Sequence, residues 1–237
     1  MRRLAVGAVV LVGCLALAGV AGGAAITRIH ISLTASVTRH VHKTQSDYTC
    51  PGAAAPASGD VTETVSLTTT RSSTMVVAQG SGTALFIEPQ TDMNNSGRIL
   101  THGTVTRTST LSADGEPTCG ENPASCGSGS FTTSMVGGAD DGHSGRRFGG
   151  ISLNSFDGYR DPLPSCKSPD PAVSDSLYRT VPFPHSFMVS CRHGKLTRRL
   201  TKSDSFSQPG TSATSGDTTV HLSLTVSRLG PLRGYHC

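Results

Sequence analysis

The sequence predicts an all-β protein: an antiparallel β-sandwich or barrel-like domain, linked by disulfides, that follows an N-terminal signal or anchor segment. Three features carry this prediction: stretches that alternate apolar and polar residues, a high content of turn-forming residues, and an even number of cysteines after the N-terminal segment. The 237 residues include 31 Ser, 29 Thr, 27 Gly and 13 Pro, and no Trp. This composition favours short Thr-rich strands and many turns over a helical bundle.

The segment 1–25 has the parts of an export signal. Two arginines precede an uncharged apolar stretch that ends in small residues. This order is typical of a secretory signal peptide, and we expect cleavage near Ala25. Two alternatives stay open: residues 4–26 are long enough to be kept as an uncleaved membrane anchor, and Cys14 lies in a pattern that resembles the lipid-attachment site of bacterial lipoproteins.

Residues 26–237 are expected to form one exported β-rich domain, secreted or extracytoplasmic, with membrane contact only through the N-terminal segment if that segment is kept. Without the two N-terminal arginines, the domain has 18 basic and 16 acidic residues. This balance argues against nucleic acid as a partner. The bias towards Ala, Gly and Arg is typical of a GC-rich bacterial genome.

Six cysteines follow the N-terminal segment: Cys50, Cys119, Cys126, Cys166, Cys191 and Cys237. An even count in an exported chain predicts three disulfides. Zinc is disfavoured because none of the cysteines forms a CxxC pair. Of the fifteen connectivities that six cysteines allow, we favour as a hypothesis Cys119–Cys126, Cys166–Cys191 and Cys50–Cys237.

The clearest strand pattern covers residues 29–41, in which odd positions are apolar and even positions are polar. Period two over this length indicates a half-buried strand. Arg39 is the exception on the apolar side, and we expect it to reach water near the end of the strand. Residues 218–228 repeat the pattern. Shorter strands are predicted over residues 61–70, 74–79, 83–88, 99–111, 130–136, 150–154, 186–192 and 195–202.

Residues 137–176 are rich in Gly, Asp and Pro and predict a long irregular loop. Long loops inside a domain are uncommon, and those that occur are often functional. Because function in β scaffolds usually lies on loops, we expect the functional surface at this segment or at residues 90–97.

His40 and His42 form the sharpest local motif, HVH. Residues two apart on a strand project to one face, so both imidazoles can approach one zinc or copper ion. A metal site needs further ligands, and the sequence singles out none. The alternative interpretation is a pair of solvent-facing histidines at the end of a strand.

Catalytic motifs are missing from the sequence: there is no GxSxG elbow, no SxxK and no HExxH. No catalytic residue is therefore assigned. The sequence favours a non-catalytic cell-envelope or secreted binding module for an unknown protein or envelope component. The alternatives are a secreted hydrolase with dispersed catalytic residues and a metal-binding envelope protein that uses the HVH pair. Because aromatic residues make up only 5% of the chain, a stacking platform for sugars is disfavoured.

Overall fold

A single antiparallel sheet contains the ten strands of the computed structural model, which describes residues 24–79, 85–89, 98–119, 124, 126–140, 150–157, 159–168, 177 and 179–231. The strands are β1 (Ala24–Thr49), β2 (Pro56–Ser72), β3 (Met75–Gln79), β4 (Leu85–Pro89), β5 (Arg98–Ser109), β6 (Gly127–Asp140), β7 (Gly150–Asp157), β8 (Thr180–Val181), β9 (Gly194–Gln208) and β10 (Ser212–Arg228). One short helix, α1 (His185–Met188), lies between β8 and β9. The antiparallel β class predicted from the sequence is confirmed.

The long strand β1 organises the sheet. Its first residues, up to Ile29, pair with β3, and its later residues, from Thr34 onwards, pair with β2 along the same edge. Strand β10 pairs with the opposite edge of β1. The order is β4-β3-β1-β2-β5-β6-β7-β8, with β9 added to the outer edge of β10.

Alternation of apolar and polar residues sets which face of each strand is buried. Between β1 and β10, Val37 lies opposite Val220 and Leu33 lies opposite Leu224, and all four side chains are buried. Equivalent inward positions on the other strands join them in one main core. A register shift of one residue would expose this entire set, so hydrophobic burial fixes the register.

A tight turn joins β1 to β2. The Ala53 amide donates to the Cys50 carbonyl at 2.9 Å, with Pro51 and Gly52 at the two central positions. Gly52 has φ of +79°, which is the left-handed conformation that a type II turn requires at its third residue. The turn holds Cys50 at the end of β1.

The disulfides differ from the favoured connectivity. Cys50 pairs with Cys119 and Cys126 pairs with Cys166, so the hypothesised Cys119–Cys126 and Cys166–Cys191 bonds are wrong. The Cα atoms of the bonded residues lie 5.3 and 5.2 Å apart, a normal disulfide spacing. The prediction failed because it joined neighbours in sequence, whereas the sheet brings together segments 69 and 40 residues apart.

Cys191 is also disulfide-bonded. Cys237 lies outside the described residues, so its hypothesised bond with Cys50 is excluded only by the observed partner of Cys50. The bonds that the structure describes are typical of an oxidising, extracytoplasmic environment.

Two predicted elements need correction. The strand predicted over residues 186–192 is replaced by α1, which follows two prolines, Pro182 and Pro184, that cannot donate to a β-ladder. Its apolar residues pack inward, with Met188 fully buried, and a short apolar run does not distinguish a strand from a helical turn.

The expected irregular loop over residues 137–176 contains more strand than its composition indicates. Residues 137–140 complete β6, and β7 pairs with β6 from Gly150 to Asp157. The Gly-rich sequence allows this because backbone hydrogen bonds of a ladder need no side chain. The other proposed functional loop, residues 90–97, lies outside the described residues.

The sandwich is not confirmed, since one sheet holds all the strands described above. Of the predicted signal or anchor segment, only Ala24 and Ala25 are described, as the start of β1. Within the described part of the chain, no helix has the length and apolar character needed to span a membrane.

Candidate functional site

The HVH histidines lie on the outer face of β1, opposite strand β2. His40 Nδ1 is 3.0 Å from Thr62 Oγ1, and His42 Nδ1 is 2.8 Å from Asp60 Oδ1. His42 Nε2 is also 3.1 Å from Thr44 Oγ1. The two imidazoles therefore form polar contacts across the strands.

A metal site would need a third ligand beside this pair. Among the described residues, no group of three His, Cys, Asp or Glu side chains has the geometry to hold a metal ion. The zinc or copper site at His40 and His42 stays a prediction, checked by measuring metal in the purified protein and in a His40→Ala variant.

A second cluster of charged groups lies on the inner face, where Glu63 and Arg107 are opposite each other on β2 and β5. Arg107 is fully buried and Glu63 is 1% exposed. Arg107 Nε donates to Glu63 Oε2 at 2.6 Å, and Nη1 donates to Asp161 Oδ2 at 3.0 Å. Nη1 also donates to the carbonyl oxygen of Cys166.

One cation, Arg107, faces two carboxylates in this cluster. Burial lowers the pKa of Arg107, but the neighbouring Glu63 and Asp161 carboxylates outweigh this effect and raise it overall. Burial also raises the pKa of Tyr159 to about 12, with a further increase from the negative charges of Asp161 and Glu63. Within the described residues, the buried Tyr159 hydroxyl makes no well-formed hydrogen bond.

This cluster fastens the segment 159–168 to the sheet. Arg107 binds both a carboxylate and a main-chain carbonyl of that segment, next to the Cys126–Cys166 disulfide. Its charged groups are paired with one another and largely closed to solvent, so the cluster holds this segment against the sheet and offers little to a substrate.

Arg39 continues the inner row of charges and corrects the expectation that it reaches water. It is 6% exposed, lies opposite Glu63, and its guanidinium carbon is 4.6 Å from the centre of the Phe206 ring. The sheet face stays covered at this position because β9 places an aromatic ring over the cation, a favourable cation–π arrangement.

The outer face contains a depression of about 340 Å³ over strands β9, β10 and β1. Its floor is the backbone of the row formed by Leu200, Leu222 and Ala35, whose side chains point to the opposite face. Two rows of outward side chains form the walls: Arg199, Ser223 and Thr34 on one side, and Thr201, His221 and Ser36 on the other.

The walls carry one cation, one imidazole and four hydroxyls, with no carboxylate. His221 Nδ1 is 3.1 Å from Thr201 Oγ1, which fixes the ring against the wall. Arg199 is exposed, and no side chain of the described residues pairs with it. A free guanidinium beside an imidazole and hydroxyls can bind an oxyanion and the hydroxyls attached to it.

Hydroxyl rows continue beyond the depression across the outer face of the sheet. The row of His221 and Ser36 extends through Ser66 and Thr104 to Ser130, and the adjacent row consists entirely of hydroxyl side chains. That adjacent row is Ser203, Thr219, Thr38, Thr64, Thr106 and Ser128. Hydrogen bonds of 2.9 Å between Ser203 and Thr219 and of 2.8 Å between Thr106 and Ser128 order the ends of this row.

Sequence reasoning missed both the buried cluster and the depression. The cluster had a signal, because Glu63 and Arg107 occupy apolar positions of two alternating strands and have opposite charges. The depression had no such signal in the sequence, because Arg199 and His221 become neighbours only through the register of β9 with β10. The sequence contains nine histidines, and nothing in the context of His221 distinguishes it from the others.

Comparisons with known proteins find no relative: no family model, curated protein or solved structure matches this chain. The function is therefore argued from the geometry of the described residues.

Proposed function

We propose that this protein is an exported, non-catalytic binding module of the cell envelope or secretome, and that the outer face of its sheet binds a polyhydroxy ligand. The observation that carries the proposal is the depression over β9, β10 and β1, which opens into rows of Ser and Thr hydroxyls. Hydroxyls donate and accept hydrogen bonds, so an ordered array of them matches a ligand with the same chemistry.

The position of the depression also favours binding over catalysis. Its walls are side chains on paired strands, which hold their directions without a mobile loop. The described acids of the inner cluster are engaged with Arg107, on the other side of the sheet. A secreted hydrolase stays a prediction, to be tested with ester, peptide and glycan substrates.

A barrel-like scaffold is part of the proposal. Strand β8, at one end of the strand order, lies close to β9, the strand on the outer edge of β10. Closure would remove most of the exposed edges that make open sheets prone to aggregation. Export is supported by the disulfides and by the N-terminal pattern of residues 1–25.

Binding of residues 26–237 to isolated cell-wall polysaccharides and to purified polysaccharides of known composition tests this function. The informative variant is Ser36→Leu, which removes a hydroxyl from the wall and fills the depression. The matched control is Ser207→Leu, an exposed serine on the same face of β9, six residues beyond Thr201 and about 20 Å away along the strand. We expect binding that Ser36→Leu abolishes and Ser207→Leu leaves unchanged; equal behaviour of the two variants would refute the assigned surface.

A further inference from the structure

We infer that Arg199 and His221 form an oxyanion subsite, and that the ligand of the outer face is an anionic polyhydroxy polymer rather than a neutral one. This inference rests on the proposed function and adds the charge and the extended form of the ligand.

The first argument is the state of Arg199. Several cations of the described residues face carboxylates: Arg107 pairs with Glu63, Arg179 pairs with Asp204, and Lys43 pairs with Glu116. Arg199 is exposed and pairs with no side chain of the described residues, while the nine residues that line the depression include no acid. An unpaired guanidinium in an acid-free depression attracts an anion, and its planar fork fits a carboxylate or phosphate with two hydrogen bonds.

The second argument is the position of His221. It lies one strand inward from Arg199, on the opposite wall, and is held by Thr201 at 3.1 Å. The two walls are about 7 Å apart along the strand, and adjacent strands are about 4.8 Å apart. An oxyanion above the floor therefore meets the guanidinium from one wall and the imidazole from the other, with Ser223 and Ser36 beside it.

The third argument is the length of the hydroxyl rows. The row that contains His221 crosses the six strands from β9 to β6. Five strand spacings correspond to about 24 Å, which is longer than a single small molecule. A polymer with regularly spaced hydroxyls is the ligand that uses the whole row, with the oxyanion at the Arg199 end.

A competing explanation is that the basic residues of β9 only protect the edge of the sheet. Edge strands often carry Lys and Arg, which prevent pairing with another chain. Arg198 provides the matched control, because it is exposed on the same strand and has the same charge but points to the other face, away from the depression. Edge protection predicts that replacement of Arg198 or of Arg199 changes the affinity for an anionic polymer equally. An oxyanion subsite predicts that only the replacement of Arg199 lowers this affinity strongly.

Calorimetric titration with three polymers tests the inference: polygalacturonate, which carries carboxylates, poly(glycerol phosphate), which carries phosphodiesters, and neutral dextran. The variants are Arg199→Ala, Arg199→Lys, His221→Ala, Ser36→Leu and the control Arg198→Ala. We expect at least one anionic polymer to bind and dextran to bind at least tenfold more weakly. Arg199→Ala should lower the affinity for the anionic polymer at least tenfold, Arg199→Lys should restore part of it, and Arg198→Ala should change it less than twofold.

Preference for one anionic polymer identifies the source of the oxyanion and supports the inference. Equal losses in Arg198→Ala and Arg199→Ala would show non-specific charge attraction and overturn it. Equal binding of dextran and the anionic polymers, lost in Ser36→Leu but not in Arg199→Ala, would overturn the subsite and leave the proposed function intact. No binding of any polymer would overturn both.

Discussion

Arg107 is the central charge of the buried cluster on the inner face of the sheet. A buried ion pair adds little to stability compared with apolar residues of the same size, but removal of one partner leaves an uncompensated charge in a low-dielectric interior. Arg107 has no solvent contact, and Glu63 has almost none. The cluster is therefore most sensitive to changes that remove one charge and keep the other.

Glu63→Gln should lower the free energy of unfolding by about 3–5 kcal/mol, because Arg107 loses a charged partner that solvent cannot replace. Urea denaturation measures the change. The double variant Glu63→Met with Arg107→Met should lose less than the single variant, since it removes both members of the fully buried pair and leaves Asp161, which is 30% exposed. The control, Lys167→Ala, breaks an exposed ion pair with Asp114, and we expect a change of at most about 1 kcal/mol. A Glu63→Gln variant as stable as the control would contradict this account.

Tyr159 should make stability depend on alkaline pH. The folded protein keeps the phenol proton up to a pKa of about 12, whereas an unfolded chain releases it near pH 10. Between these two pKa values the folded state holds more protons than the unfolded state. The contribution of Tyr159 to the free energy of unfolding is therefore complete below pH 10 and decreases as the pH rises towards 12. Absorbance titration should show one of the four tyrosines ionising near pH 12.

Tyr159→Phe should remove that late ionisation and reduce the loss of stability between pH 10 and 12. The matched control is Tyr48→Phe, because the Tyr48 side chain is 46% exposed. At neutral pH we expect little cost from Tyr159→Phe, since the lost hydroxyl makes no well-formed hydrogen bond among the described residues. Retention of the ionisation near pH 12 in the variant would show that another tyrosine is responsible.

At the scale of elements, strands β5 and β6 show how a glycine determines packing. Gly103 lies directly opposite Phe131, and a methyl group at Gly103 would overlap the Phe131 ring and the Leu67 side chain. The same ring packs edge-on against Tyr159, with ring centres 4.9 Å apart. Glycine usually weakens a strand, but here it makes room for the ring that supports the segment carrying Asp161.

Gly103→Ala should therefore destabilise the protein by about 1–3 kcal/mol, the usual cost of overpacking a core. Gly127→Ala is the matched control, since a methyl group at this exposed strand position would meet nothing within 4 Å. Thermal unfolding of the two variants provides the comparison. Equal melting temperatures would show that Phe131 can move aside without cost.

Alternation of apolar and polar residues predicted the strands that bury one face, including β1, β2, β5 and β10. This pattern can be recognised within a single segment without knowledge of its partner strands. It did not predict features that depend on distant pairing. The partner of Arg107 on the segment 159–168 lies 54 residues away, and the wall formed by Ser36 and His221 joins residues of β1 and β10. Short apolar runs, such as the one that forms α1, are also too short for their period to distinguish a helix from a strand.

At the scale of the whole molecule, the two disulfides that the structure describes in full join the sheet to its connecting segments. Cys50–Cys119 and Cys126–Cys166 close spans of 69 and 40 residues. The chain-entropy model assigns about 4 kcal/mol to loops of these lengths. For a sequence with few aromatic residues, this contribution is a large fraction of a typical folding free energy.

Peptide mapping of the non-reduced protein should recover Cys50–Cys119 and Cys126–Cys166. If residues 1–25 are removed on export, Cys237 is the only cysteine left to pair with Cys191, and we expect that third bond. Replacement of Cys126 and Cys166 by serine should lower the free energy of unfolding by about 2–5 kcal/mol. Recovery of six free thiols from protein isolated without reductant would contradict both the bonds and the extracytoplasmic environment.

The pairing of β1 with β10 also determines when this protein can finish folding. Ile29 lies opposite Arg228 in the ladder of β1 and β10, so almost the entire chain separates the two halves of one ladder. A polypeptide threaded through a membrane from its N-terminus delivers β1 long before its neighbour. Until the last strand arrives, β1 has an unsatisfied edge, and such a topology folds slowly and needs protection from aggregation. If the protein is exported, as proposed above, we expect its maturation to depend on a holding chaperone at the exit side of the membrane.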